Sequence, residues 1–147
     1  MKLFLYYSFT GNGDYLASLL KDKGYEIRKV TEKKRMPKSF FFGVLVGGFR
    51  AGMKQKAKLV SYNPDVSEYD EIVIGSPIWN TRFPPVLNSI LALTDFSSKK
   101  VTFLFYSGSG EGPKALEWIK RNMPSASIIF TKDPKKHQEE LVKIKDL

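Results

Sequence analysis

The chain has 147 residues, enough for a single domain, 1–147, with one sizeable core. Hydrophobic residues make up 42% and charged residues 27%, which excludes a generally disordered chain. There is no cysteine, so disulfides, thiol redox chemistry and thiolate metal sites are excluded, and the net charge of +9 calls for an explanation of its own.

Taken in order, the segments alternate between strand and helix patterns. Leu3-Phe4-Leu5-Tyr6-Tyr7 predicts a first strand over Lys2–Tyr7. Ser8 and Thr10 cut this run after too few residues for a signal peptide, so a cytoplasmic location is expected. After the loop Ser8-Phe9-Thr10-Gly11-Asn12-Gly13 a helix is predicted over Gly13–Lys23, with Leu16, Leu19 and Leu20 on one face and Gly24 ending it. Tyr25–Val30 reads as a second strand. Glu71–Gly75 reads as a third, too apolar to face water on either side. A helix is predicted over Pro84–Leu93, its prolines placed where a first turn tolerates them. Val101–Tyr106 is a fourth strand, followed by a glycine-rich loop and a helix over Gly112–Met123. Ala126–Thr131 is a fifth strand, and Pro134–Ile144 a closing helix that carries His137, the one histidine, as a solvated surface residue. Five buried strands separated by helices imply an α/β fold, a parallel sheet covered on both faces by right-handed crossovers.

The loop at residues 8–13 stands between a strand and a helix. The first amides of a helix have no partner within it and carry the positive end of its dipole, so a phosphate there accepts several N–H groups at once. Ser8 and Thr10 add hydroxyls, and Gly11 and Gly13 let the backbone approach closely. With no Lys or Arg in the loop, it suits a phosphate held by neutral dipoles rather than one being transferred. The Gly-Lys-Ser/Thr ending of a Walker loop is missing, as is the three-glycine dinucleotide fingerprint. An ordinary βα turn uses the same residue types, so the loop alone does not separate the two readings.

In open parallel sheets ligands bind beyond the carboxyl ends of the strands, so the loops after strands one, three and four should meet. The loop after strand three, Ser76-Pro77-Ile78-Trp79-Asn80-Thr81, holds a tryptophan, a large flat surface that is costly to leave in water. The loop after strand four, Ser107-Gly108-Ser109-Gly110-Glu111-Gly112, offers many backbone donors and acceptors. A phosphate cradle, an aromatic plate and a polar rim describe a site for a phosphorylated flat heterocycle. Glu111, at a helix start, reads as a routine dipole partner. No side chain is an obvious general acid, base or nucleophile, so no catalytic residue and no metal ligand is assigned, and a redox role would rest on a bound cofactor.

Ser8-Phe9-Thr10-Gly11-Asn12 resembles the phosphate loop of flavodoxins, which bind FMN, and Tyr69–Trp79, with its Gly-Ser-Pro-x-Trp loop, is similar to the third-strand signature of the wider flavodoxin-like family. The likeness extends over essentially the whole chain. It implies a flavodoxin-like three-layer sandwich with a five-stranded parallel sheet in the order 2-1-3-4-5. It also implies FMN as cofactor: Ser8, Thr10, Gly11, Asn12 and Gly13 on the 5′-phosphate, Pro77, Ile78, Trp79 and Asn80 along the ring and ribityl chain, and Ser107, Gly108 and Gly110 at the far rim. A core tryptophan pinning its own loop is the competing reading of Trp79. One position departs from the family: the loop usually carries a second Thr where this chain has Gly13, which removes a hydroxyl donor and implies a weaker hold on FMN. The short run from fifth strand to last helix resembles the short-chain form.

Flavodoxins are typically acidic, and this chain is not. Arg28–Lys58 holds ten bases (Arg28, Lys29, Lys33, Lys34, Arg35, Lys38, Arg50, Lys54, Lys56, Lys58) against Glu32, and so carries the whole excess of +9. It encloses the apolar run Phe40–Phe49, too short to span a bilayer. The plain reading is a second crossover helix packed on the sheet. A phenylalanine-rich helix between lysines also suits peripheral contact with an anionic membrane surface or an acidic partner. No base-reading motif accompanies the charge, so sequence-specific nucleic acid binding is not expected. Three readings follow: an electron-transfer protein that works through non-covalently bound FMN with acidic redox partner proteins; an FMN-dependent oxidoreductase acting on a small quinone or a porphyrinogen; and a flavin-free interaction domain on the same fold.

Overall fold

The computed structural model describes residues 1–33 and 56–147, and the Phe40–Phe49 run with Lys34, Arg35, Lys38, Arg50 and Lys54 lies outside the described residues. The strands are β1 (Lys2–Tyr6), β2 (Glu26–Lys29), β3 (Glu71–Pro77), β4 (Lys100–Ser107) and β5 (Ser127–Lys132). The helices are α1 (Asn12–Asp22), α2 (Pro85–Leu93) and α3 (Pro113–Asn122), and the chain closes with a 3-10 helix over Gln138–Ile144. All strand pairs are parallel, in the order β2-β1-β3-β4-β5. This is the flavodoxin-like sheet.

Alternation along each strand divides the core in two. Leu3, Leu5, Ile72, Ile74, Phe103 and Phe105 point to the face covered by α2 and α3, where they meet Val86, Leu87, Ile90, Ala115 and Ile119. Phe4, Tyr6, Val73, Leu104 and Tyr106 point to the other face, where Leu16, Ala17 and Leu20 of α1 and Ile144 of the 3-10 helix cover them. Each fully buried Leu, Ile or Phe contributes about 1.5–3 kcal/mol, so the central strands are held by hydrophobic burial from both sides.

Two expectations need correction. The strands are not all buried: among the described residues β2 and β5 are edge strands with a neighbour on one side only, and they stay partly exposed. The closing helix does not start at Pro134. Asp133 takes a positive φ of 36°, and its carbonyl accepts N–H groups from Lys136 and His137 at 2.8 and 3.0 Å, so a tight turn precedes the 3-10 helix. The end of that helix is tied down by Lys23, whose ammonium donates to the carbonyls of Ile144, Lys145 and Leu147.

Candidate functional site

The β1–α1 loop is a cradle built from the backbone. Gly11 precedes the helix at φ 93°, a left-handed conformation that costs an L side chain strain, and Tyr15 N–H donates back to its carbonyl at 3.0 Å. Gly13 N–H is taken by Ser8 Oγ at 3.1 Å. Among the described residues, the amides of Gly11, Asn12 and Asp14 have no protein acceptor. Three unpaired donors at the positive end of α1 fit a phosphate group.

Gly13 also answers a packing requirement that the sequence did not show. A Cβ there would lie 2.5 Å from Tyr106 Oη and 2.8 Å from both Ser8 Cβ and Tyr6 Cδ2. The glycine is required by close packing, and the space of the family's second threonine is taken by the Tyr106 hydroxyl. That hydroxyl donates to the Tyr7 carbonyl, and full burial holds its pKa well above the ordinary phenol value. Beside the cradle, burial pulls the Asp14 carboxyl upward, but hydrogen bonds from Lys29 at 2.7 Å and Tyr6 at 2.8 Å outweigh it and hold the group below its ordinary pKa.

The loop after β3 reaches this cradle through aromatic contacts. Trp79 is buried, 7% exposed, with its ring edge-on to Tyr7 at 6.0 Å and to Phe9 at 5.6 Å between centroids. Trp79 and Arg82 exchange backbone hydrogen bonds across Asn80 and Thr81, which have φ of 49° and 63°: a two-residue turn with both central residues left-handed. Pro77 is buried, Ile78 half-buried and Asn80 exposed at the tip of that turn. Ile78 also packs against the next loop, its Cδ1 3.2 Å from where a Cβ on Gly112 would sit.

The loop after β4 is pinned by Ser107, whose Oγ accepts Gly110 N–H at 3.0 Å and whose carbonyl accepts Asp133 N–H at 3.1 Å. Gly108 is exposed and faces Asp133; Gly110 backs onto Lys132. The three loops expected to meet are therefore neighbours, with Asn80 exposed at the tip of its turn.

Sequence reasoning missed the loop after β5. Asn12 is buried and binds that loop with both polar atoms: its Nδ2 donates to Asp133 Oδ1 at 3.2 Å, and its Oδ1 accepts Lys135 N–H at 3.1 Å. Lys135 Nζ lies 3.6 Å from the position of a Cβ on Gly11, so a cation stands over a cradle expected to be neutral. Phe9, the aromatic within the phosphate loop, was missed as well. The usable signal was positional, since Asp133-Pro134-Lys135 follows the carboxyl end of a strand, where ligand loops gather. A cleft of about 580 Å³ lies elsewhere, between α2 and α3 over Phe83 and Trp118.

Comparison with known proteins agrees with this architecture. A flavoprotein from Lactobacillus acidophilus, crystallised with FMN, superposes with a TM-score of 0.67 at 20% identity, over 94% of this chain and 96% of that one. A protein from Bacteroides uniformis, provisionally assigned as a flavoprotein, gives 0.68 at 20% identity over 96% and 97%. Oxidised flavodoxin 1 from Bacillus cereus gives 0.50 at 13% identity over 99% and 98%. At these identities the likeness is one of fold. No curated protein matches. No helix among the described residues is long and apolar enough to cross a membrane. The family model described as flavodoxin matches residues 51–143, more than half of the chain, and the chain belongs to the flavodoxin family.

Proposed function

We propose that this protein binds FMN non-covalently and uses it to pass electrons. The observation that carries the reading is the β1–α1 cradle: three amides without acceptors, a left-handed Gly11, and Phe9, whose ring meets Trp79 of the adjoining loop. The FMN phosphate would take the amides of Gly11, Asn12 and Asp14, with Thr10 as hydroxyl donor. Ser8, whose hydroxyl already accepts Gly13 N–H, shapes the loop. Pro77, Ile78, Trp79 and Asn80 would line the ring and ribityl chain, and Ser107, Gly108 and Gly110 the far rim. The FMN bound in the Lactobacillus acidophilus flavoprotein supports the same use of the fold.

When bound, FMN supplies the redox chemistry, and the chain's own residues bind, orient and exclude water. Tyr106 stays a neutral hydrogen-bond donor beneath the loop, because burial holds its proton. The absorption spectrum of the purified protein, joined to thermal melts with FMN and riboflavin, tests the reading. Ligand at a thousandfold excess over Kd stabilises a fold by about 4 kcal/mol, and FMN is expected to do so far below the concentration at which riboflavin does. Equal shifts, or none, would overturn it.

A further inference from the structure

We propose that Lys135 is a phosphate-binding residue, so that recognition at the β1–α1 cradle is assisted by a cation rather than carried by neutral dipoles alone; the proposal rests on the FMN reading above. The loop after β5 turns sharply at Asp133, and Asn12 clamps it from both sides, through Asp133 Oδ1 at 3.2 Å and Lys135 N–H at 3.1 Å. With its backbone fixed to the first residue of α1, Lys135 extends its ammonium to 3.6 Å from the Cβ position of Gly11. Among the described residues that ammonium has no ion pair or hydrogen bond. Asp133, the carboxylate on the same turn, is engaged by the Asn12 amide.

Lys135 is exposed, so water solvates its ammonium when no ligand is bound, yet its position at the helix end is not one that favours a cation. Cations are stabilised at the C-terminal end of a helix, and this one stands at the N-terminal end of α1, beside amides that also carry positive charge. An anion between them removes the conflict and satisfies all four groups. A phosphate monoester has the charge and the number of acceptor oxygens, and a neutral sugar alcohol such as the end of riboflavin does not. Hydrogen bonds to charged groups are among the stronger kind, so the ammonium should contribute visibly to affinity.

The test titrates FMN and riboflavin into the wild type, Lys135→Met, Lys135→Gln, Lys135→Arg and Lys136→Met over a salt series, with thermal melts to verify folding. Lys135→Met and Lys135→Gln are expected to weaken FMN about tenfold or more while leaving riboflavin affinity unchanged. They should also flatten the dependence of FMN affinity on salt. Lys135→Arg should restore most of the affinity, and Lys136→Met should behave as wild type. A Lys135→Met protein that binds FMN as tightly as wild type, with the same salt slope, overturns the assignment and leaves the FMN reading standing. Equal weakening of FMN and riboflavin would show a merely structural lysine and overturn it too. A wild type that does not distinguish FMN from riboflavin would overturn the FMN reading itself.

Discussion

The hydroxyl of Tyr106 occupies the place where a side chain on residue 13 would begin, 2.5 Å from a Cβ built on Gly13. The pair explains why the chain departs from the flavodoxin loop at this position: the tyrosine fills the room of the missing threonine and donates to the Tyr7 carbonyl. Gly13→Thr adds the hydroxyl that the family usually carries. It is nevertheless expected to destabilise the fold by about 1–3 kcal/mol, because overpacking a filled core forces its neighbours apart. Combined with Tyr106→Phe, the loss should be less than the sum of the two single changes, since contacting residues couple. Urea unfolding of the four proteins measures this. A neutral Gly13→Thr variant with tighter FMN binding would refute the steric account.

Gly11 has space around it but not conformational freedom for a side chain. Its φ of 93° is unfavourable for an L residue and more so for a β-branched one. Gly11→Val is expected to leave a folded protein, weakened by about 1–3 kcal/mol, in which FMN binding is lost. Circular dichroism and a flavin titration decide it, and wild-type affinity in the variant would remove the cradle from residues 8–13.

Trp79 is expected to report on the ligand. Flavin binding should quench its fluorescence sharply, and Trp79→Ala should weaken FMN about tenfold, as an aromatic pair contributes about 0.5–1.5 kcal/mol beyond area burial. Trp118, edge-on to Phe83 beside the distant cleft, is the internal control. Quenching confined to Trp118 would move the ring away from the loop after β3.

Acid should act on the cradle through Asp14. Burial raises its pKa, and hydrogen bonds from Lys29 and Tyr6 lower it further than burial raises it, so the folded value lies below the ordinary 3.8. The stability it contributes is present above the unfolded value and is lost as pH falls through the folded one. Asp14→Asn should therefore flatten the decline in thermal midpoint below about pH 4, and an unchanged acid limb would show that Asp14 contributes nothing there.

The basic segment bears on partner choice. Lys33 N–H donates to the Lys58 carbonyl at 2.8 Å, which brings two exposed lysines side by side, and Lys56 is exposed nearby in sequence. If this surface docks an acidic redox protein, reduction by that partner should slow steeply with salt, since exposed charges are screened beyond about 10 Å at 0.1 M ionic strength. Changing Lys33, Lys56 and Lys58 to Glu should slow association and leave FMN affinity nearly unchanged, because steering acts mainly on the on-rate. Stopped-flow reduction across a salt series measures both effects. A flat response, with turnover of a small quinone indifferent to the three changes, would favour the oxidoreductase.

The strand order came only from the resemblance to flavodoxins, whereas the alternation of strand and helix, the glycine-bearing turn before α1 and the meeting of the loops after β1, β3 and β4 were legible in the amino-acid sequence itself. Each depends on what a segment requires of its own neighbours: apolar runs such as Ile72-Val73-Ile74 need cover on both faces, and a strand leading into a helix through Gly11 leaves amides unpaired. The tertiary structure alone placed Tyr106 in the space beside Gly13, Trp79 edge-on in the core, and Lys135 over Gly11. These meetings join residues far apart in the chain, 121 positions for Asn12 with Asp133 and 123 for Asn12 with Lys135. They depend on the register of β5 against β4, which sets where each strand ends, and no periodicity within one segment carries that information.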